Sequence, residues 1–347
     1  MLLALTFAVA QFSFHALDFL PTDINDKGWI VGVRVRHTEL GKTYTPVLRM
    51  PNRQIDLTSF PGSAVGINNR GEVLIVSEQA DLPKGLGGKE GTACLLWANG
   101  KTTYLGNFKP NGRFSDNGGF LARRDQTALV VRVIRGSAVV SKAPAVPPLQ
   151  GYPSSDVYWY DMNEHGSLVG VCDLGTSWSH AILMDSRRRI TDLHPQVEMH
   201  TGWSAEFINS KGHVMGYHSF DSSIGGGGVF LWKGGKTSLL PATRNMAILF
   251  HPSSFNDQDQ ATGNLGLYDS GSFVGELVNK ELRFPPIATA TTHGMFWDTK
   301  QFWNLNEISD KPLNCIIATT MKISNKGWII GSAVQDEKRI GYFLVPK

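Results

Sequence analysis

The sequence predicts an all-β protein, a β-propeller of seven four-stranded blades closed by pairing of its N- and C-terminal strands. Three observations carry that prediction. A turn motif, Asn-x-x-Gly with a second Gly four residues later, recurs along the whole chain. An apolar stretch ending in Trp recurs behind it, with a Leu eight residues further on. Finally, the two ends of the chain each hold part of one incomplete copy.

The turn motif is complete at Asn25, Gly28 and Gly32, at Asn163, Gly166 and Gly170, and at Asn209, Gly212 and Gly216. Partial copies keep the frame at Asn68, Gly71 and Ile75, at Asn256, Asp259 and Gly263, and at Ser324, Gly327 and Gly331. A degenerate copy is placed at Arg124. With it, copies start at 25, 68, 124, 163, 209, 256 and 324, a mean interval of about 50 residues. Asn caps its own backbone two residues on, and Gly accepts the positive φ that closes a hairpin turn. The second Gly falls inside the next strand, where a missing side chain implies close backbone approach.

The second half of the unit ends one strand at Trp97, Trp232 or Trp297 and the next at Leu105, Leu240 or Leu305. Between them stand Asn99-Gly100, Gly234-Gly235 and Asp298-Thr299, with Asp185-Ser186 in the same place after Met184, all hairpin-loop chemistry. Each repeat therefore reads as four short strands. Four-stranded units at a period of 40 to 50 residues are the signature of a propeller, whose blades need neighbours to bury their faces. The last copy stops at Phe343–Lys347, before its final strand, while Phe14–Pro21 precedes the first copy and looks like the missing strand. Pairing the two removes a free sheet edge.

The pattern resembles the HAF-type extracellular repeat family, whose units run Asn-x-x-Gly-x-Val-x-Gly, then His-Ala-Phe-Leu-Trp, then Asp-Leu. Here His180 and His293 hold the His of that pattern, and Asp56-Leu57 and Asp192-Leu193 hold the Asp-Leu. The resemblance runs from about residue 12 to the end and fails in the Arg124 unit, which lacks the Gly pair and the Trp. It implies export and a propeller-like fold, with no settled activity.

Composition agrees with this fold and excludes others. Thirty-three Lys and Arg stand against 30 Asp and Glu, a net charge of +3, so the electrostatic footprint of a nucleic-acid binder is missing. Charged residues at 18% with 37 Gly and 9 Trp favour tight turns and aromatic packing over helical bundles or disorder. Residues 1–10 (MLLALTFAVA) read as a signal peptide ending in Ala8-Val9-Ala10, too short for a membrane span, which leaves 11–347 as a single propeller domain. The expected location is secreted, periplasmic or cell-surface. Cys94, Cys172 and Cys315 are each flanked by apolar sequence and are expected as buried free thiols.

For function, length variation is concentrated between the second and third strands of each unit, at Leu82–Gly91, Asp221–Gly228 and Leu265–Thr292. Loops clustered on one face of a rigid scaffold are where binding usually lives. The candidate ligand-binding residues are Trp178, His180, Tyr217, His218, Phe220, Tyr268 and His293. No metal site is assigned, since no ligand set has metal spacing, and a structural role is expected for the histidines. No cofactor is implied either: the Gly-rich run Gly85–Thr92 lacks the Lys-Ser/Thr of a phosphate loop. Arg187-Arg188-Arg189 is expected at a solvated hairpin tip.

The expectation is an exported, non-catalytic binding module contacting a glycan, peptide or envelope protein, as a monomer and without a membrane span beyond the N-terminal segment. No catalytic residue is assigned. The alternatives are a propeller enzyme of lyase or glycosidase type with acidic residues in its central funnel, or a passive structural or adhesive repeat protein. For the enzyme, Asp156, Asp161 and Glu206 lie on or near first strands, but no one-dimensional spacing shows that any two converge.

Overall fold

The turn motif explains why the chain repeats. In the computed structural model, which describes residues 11–39, 41–87, 91–146, 156–173, 179–194, 202–219, 227–240, 250–266 and 292–347, Asn25 Oδ1 accepts from the main-chain N–H groups of Lys27 and Trp29, each at 3.0 Å. Gly28 supplies the left-handed conformation that ends the turn, with φ +75°. The same Asn stitches its blade to the next one, because its Nδ2 donates to the carbonyl of Asn68 at 2.9 Å. Equivalent bonds run from Asn163 to the Asn209 carbonyl, from Asn209 to that of Asn256, and from Asn256 to that of Ser324. The Asn325 N–H then donates to Asp26 Oδ1 at 2.8 Å, joining the last blade to the first.

Each turn joins the innermost strand of a blade to its second strand. In the first blade these are Leu20–Ile24 and Ile30–Thr38, followed outward by Gly41–Met50 and Arg53–Asp56. Seven such four-stranded antiparallel sheets cover 20–56, 63–106, 109–142, 156–192, 203–239, 250–304 and 315–346, the last completed by Phe12–Leu17. That strand pairs with the C-terminal one from Phe12 opposite Pro346 to Leu17 opposite Gly341. The expected closure of the ring by the two chain ends is present. Helix is confined to a single turn at Leu305–Ile308 and a 3-10 turn at Gln79–Asp81 among the described residues. None there is long and apolar enough to cross a membrane.

The third blade corrects the sequence reading in one respect. Its capping turn starts at Ser115, not at Arg124, which belongs to the following hairpin, where Asp125 has φ +52°. A search for Asn passes over it because a hydroxyl does the capping: Ser115 Oγ accepts from the Gly119 N–H at 3.1 Å. Ser324 caps the seventh blade in the same manner. With 115 in place of 124, the interval to the copies at 68 and 163 becomes even.

Seven apolar clusters hold the ring, one at each interface between successive blades. Val31 and Leu48 of the first blade, for example, pack against Ala64, Val73, Ile75 and Leu95 of the second, all fully buried. Side chains of this kind stabilise by about 1.5–3 kcal/mol each on full burial, and here that burial exists only once the neighbouring blade is in place. Cys94, Cys172 and Cys315 lie buried in these layers, outside any disulfide. Burial pushes the Cys94 thiol well above its ordinary range, so it behaves as a small apolar side chain.

One further irregularity shapes the channel. The innermost strands of blades 1, 2, 4, 5, 6 and 7 each carry a β-bulge three residues before the capping residue, with Thr22, Val65, Tyr160, Glu206, Ser253 and Met321 as the extra residues. The bulge explains the second Gly of the motif. A Cβ on Gly170 or Gly216 would stand 2.1 Å from the carbonyl oxygen of Tyr158 or Ser204, respectively.

Candidate functional site

A bulge re-aims the side chain of the extra residue, and on seven inward-facing strands that means toward the propeller axis. Thr22, Val65, Tyr160, Glu206, Ser253 and Met321, with Gly112 at the equivalent place in the third blade, line one cavity of about 160 Å³. The residues one position further on form its floor. Asp23, Arg113, Asp161, Phe207 and Lys322 line both this cavity and a smaller one of about 50 Å³ that opens among the Asn turns. They are the neck of the channel.

The charges of the neck are matched. Asp23 Oδ1 accepts from the Ile24 N–H and Oδ2 from the Ile67 N–H of the next blade, both at 2.9 Å. Asp161 repeats the pattern, with Oδ1 accepting from Met162 at 2.9 Å and Arg113 at 3.2 Å, and Oδ2 from Ile208 of the next blade at 3.1 Å. Lys322 Nζ stands 3.9 Å from Asp23. Burial pushes both carboxyls up, and the Lys322 and Arg113 charges together with the amides pull them back. Burial wins, so both carboxyls stay above their ordinary range, and the amides that bond both oxygens of each group fix the two side chains in place. Two carboxylates and two cations therefore stand as a structural set that ties neighbouring blades together.

Glu206 differs from both. It sits at the bulge of the fifth blade, half-buried, and burial alone pushes its carboxyl up from 4.5 to about 6. Tyr160 lies beside it on the fourth blade, its phenol raised by its own burial and then by the Glu206 charge, and it bonds Ser204. The cavity thus carries three carboxylates against two cations, with one carboxylate uncompensated. Around it stand Thr22, whose hydroxyl donates to the Ala64 carbonyl at 2.6 Å, Ser253, whose hydroxyl bonds that of Thr320 at 2.8 Å, and the apolar Met321, Phe207 and Val65. Such a site can hold a cationic or hydrogen-bonding group and can exchange a proton near neutral pH.

The residues singled out from sequence lie elsewhere. His180 Nδ1 bonds Asp192 Oδ2 at 2.7 Å, and its ring stacks on His194 at 4.7 Å. His194 meets Trp203 edge-on at 5.3 Å, and Trp203 stacks on His218 at 4.9 Å. The structure thus brings His180 and His218 into one aromatic row between the fourth and fifth blades. Tyr217 stacks instead on His251 of the sixth blade, and His293 is buried there beside Asn306, its pKa lowered by burial. Trp178, Phe220 and Tyr268, the segments 221–226 and 267–291, and the N-terminal segment 1–10 lie outside the described residues. Among the described residues no group of three or more His, Cys, Asp or Glu could hold a metal ion. Of the three carboxylates considered for an enzyme, Asp161 and Glu206 line the channel cavity. Asp156 is exposed at the far end of its strand, opposite Asp173.

No protein-family model matches the chain, and no curated protein matches it in sequence. Its fold is shared with solved structures. It superposes on the β-propeller domain of the trilobed protease from Pyrococcus furiosus with a TM-score of 0.57 at 9% identity, covering 96% of this chain and 95% of that one. The acylaminoacyl peptidase of Pyrococcus horikoshii aligns with a TM-score of 0.54 at 11% identity, over 95% of this chain and 50% of that one. A prolyl endopeptidase aligns with a TM-score of 0.54 at 10% identity, over 97% and 50%. The chain spans about half the length of these last two peptidases. The P. furiosus propeller is described as having an open velcro topology, whereas here the Phe12–Leu17 strand closes the ring.

These comparisons go against the expectation of a non-catalytic binding module, because the three solved propellers named above belong to a protease and two peptidases. The physical reason for the error is plain. Loop length is visible in one dimension and drew attention to the outer face, while the convergence of one bulge residue per blade is visible only when the ring is closed.

Proposed function

We propose that this chain works as the propeller of a peptidase-type enzyme and that its central channel receives part of the peptide substrate. The observation that carries this reading is the bulge-lined cavity, where a carboxylate and a phenol, with Thr22 and Ser253 beside them, line a volume of about 160 Å³. Those groups match the amides and chain ends of a peptide, and the rigid ring that holds them sorts ligands by size and polarity. Similarity in fold to peptidase propellers supports the same assignment. One observation favours a second reading, glycoside cleavage: Glu206, with its carboxyl near 6, shares the cavity with Asp161.

Calorimetric titration with short peptides and with oligosaccharides separates the two. Peptides are expected to bind and oligosaccharides to give no heat. Met321→Trp, which fills the channel from the seventh blade, is expected to weaken peptide binding at least tenfold. Peptide binding that is absent, or indifferent to Met321→Trp, contradicts the proposal, and oligosaccharide binding lost in Glu206→Gln transfers it to the second reading.

A further inference from the structure

Building on the channel as the ligand site, we infer that Glu206 and Tyr160 form an anchor for a primary ammonium group of the ligand. The argument begins with charge. Within the cavity, Asp23 and Asp161 spend both oxygens on amides and stand among Lys322 and Arg113, so that set is closed. Glu206, from the bulge of the fifth blade, adds one negative charge whose shift is caused by burial, with no cation among the described residues acting on it; Arg123 acts on its neighbour Tyr160.

Geometry then narrows the occupant. Glu206 and Tyr160 are the bulge residues of adjacent blades, close enough for the carboxylate charge to act on the phenol. Ser253, on the next blade round, and Thr22, on the first, also line the cavity, their hydroxyls engaged with Thr320 at 2.8 Å and with the Ala64 carbonyl at 2.6 Å. An ammonium needs three acceptors around one positive charge, and the two oxygens of the Glu206 carboxylate with the Tyr160 phenol oxygen provide them. A divalent cation is disfavoured, because it needs six or more oxygens and several negative charges, and Lys322 and Arg113 stand at the floor of the same cavity. An anion would meet the unpaired carboxylate. Met321, Phe207 and Val65 leave apolar wall for the carbon chain that carries the amine.

In a peptide a primary ammonium comes either from the free amino terminus or from a lysine side chain. The two sources are distinguished by ligand chemistry. The probes are n-butylamine, its neutral analogue n-butanol, a tripeptide with a free amino terminus, the same tripeptide N-acetylated, and an N-acetylated tripeptide with one lysine, each titrated calorimetrically into the protein. The inference expects n-butylamine to bind and n-butanol not to. It expects acetylation to weaken the tripeptide at least tenfold and lysine to restore binding only if the side chain is the natural source. Glu206→Gln should abolish the preference for the amine.

A second measurement needs no variant. In the wild-type protein, amine affinity should fall as the pH drops from 8 to 5, since protonation removes the Glu206 charge; burial raises Asp23 and Asp161 too, so any loss of their charge acts in the same direction, and Tyr160, raised by burial and by Glu206 and flanked by Arg123, stays neutral. Equal binding of all three tripeptides overturns the anchor and leaves the peptide channel standing. Amine binding without peptide binding supports the anchor and removes the peptidase reading. No amine binding, or binding indifferent to pH and to Glu206→Gln, overturns the anchor.

Discussion

Asp161 and Glu206 sit on adjacent blades, face the same cavity and carry the same functional group, yet the fold treats them in opposite ways. Asp161 lies one position beyond the bulge, fully buried, and holds the N–H groups of Arg113, Met162 and Ile208 from three successive blades. Glu206 is the bulge residue itself and is turned to the cavity, with burial as the sole cause of its raised pKa. The difference teaches how a propeller separates structure from function. A one-residue step along the inner strand decides whether a carboxylate joins blades or faces the channel cavity.

Substitutions can break that comparison, beginning with the most costly. Asp161→Ala leaves three N–H groups without their acceptor and Arg113 and Lys322 short of a counter-charge, so it should destabilise by about 3–5 kcal/mol in urea unfolding. A loss below about 1 kcal/mol would mean that the neck is not a structural set. Gly216→Ala places a Cβ 2.1 Å from the Ser204 carbonyl oxygen and should cost about 3 kcal/mol, the upper end for overpacking. Its control is Gly212→Ala, in the same blade, where φ is +76° and nothing lies within 4 Å of the added Cβ. That variant should lose only about 1 kcal/mol, the strain of the left-handed conformation.

Glu206→Gln should move stability the other way. A carboxyl raised from 4.5 to about 6 in the folded state contributes stability that is complete below 4.5 and is lost as pH rises through 6. The variant has no such loss and should be more stable than wild type by up to about 2 kcal/mol at pH 8, with no advantage at pH 4.5. Thermal unfolding at the two pH values checks it. A variant that is destabilised at pH 8 would place Glu206 among the structural carboxylates.

Much of the architecture was legible in the sequence because its physics is local. Asn25, Asn163 and Asn209 cap their own turns through bonds to residues two and four positions on, so spacing alone exposes them. The closing strand was legible for the same reason, as half of a repeat missing from one end. Ser115 escaped because a hydroxyl replaces the amide in the same geometry. The other half of the role of Asn, its bond to the next blade, involves residues 43 to 68 positions apart and leaves no local mark.

The site was harder to read because it is made by closure. Nothing near Glu206 in sequence tells that Tyr160, Ser253 and Met321 face it. One signal was available, however. Each of these residues stands three before its capping residue, at 163, 209, 256 and 324, and aligning the repeats on their caps would have set them in one ring. The aromatic and histidine candidates stood out by residue type, and the structure places His180 and His218 in a packed row with Trp203 instead of in the channel.

The most direct test of the central claim follows the Glu206 carboxyl carbon by NMR as a function of pH, with and without n-butylamine. The account predicts a midpoint of about 6 in the free protein that shifts downward when the amine is present, because the ammonium favours the charged carboxylate. A midpoint at the ordinary glutamate value, or one that the amine does not move, would contradict it.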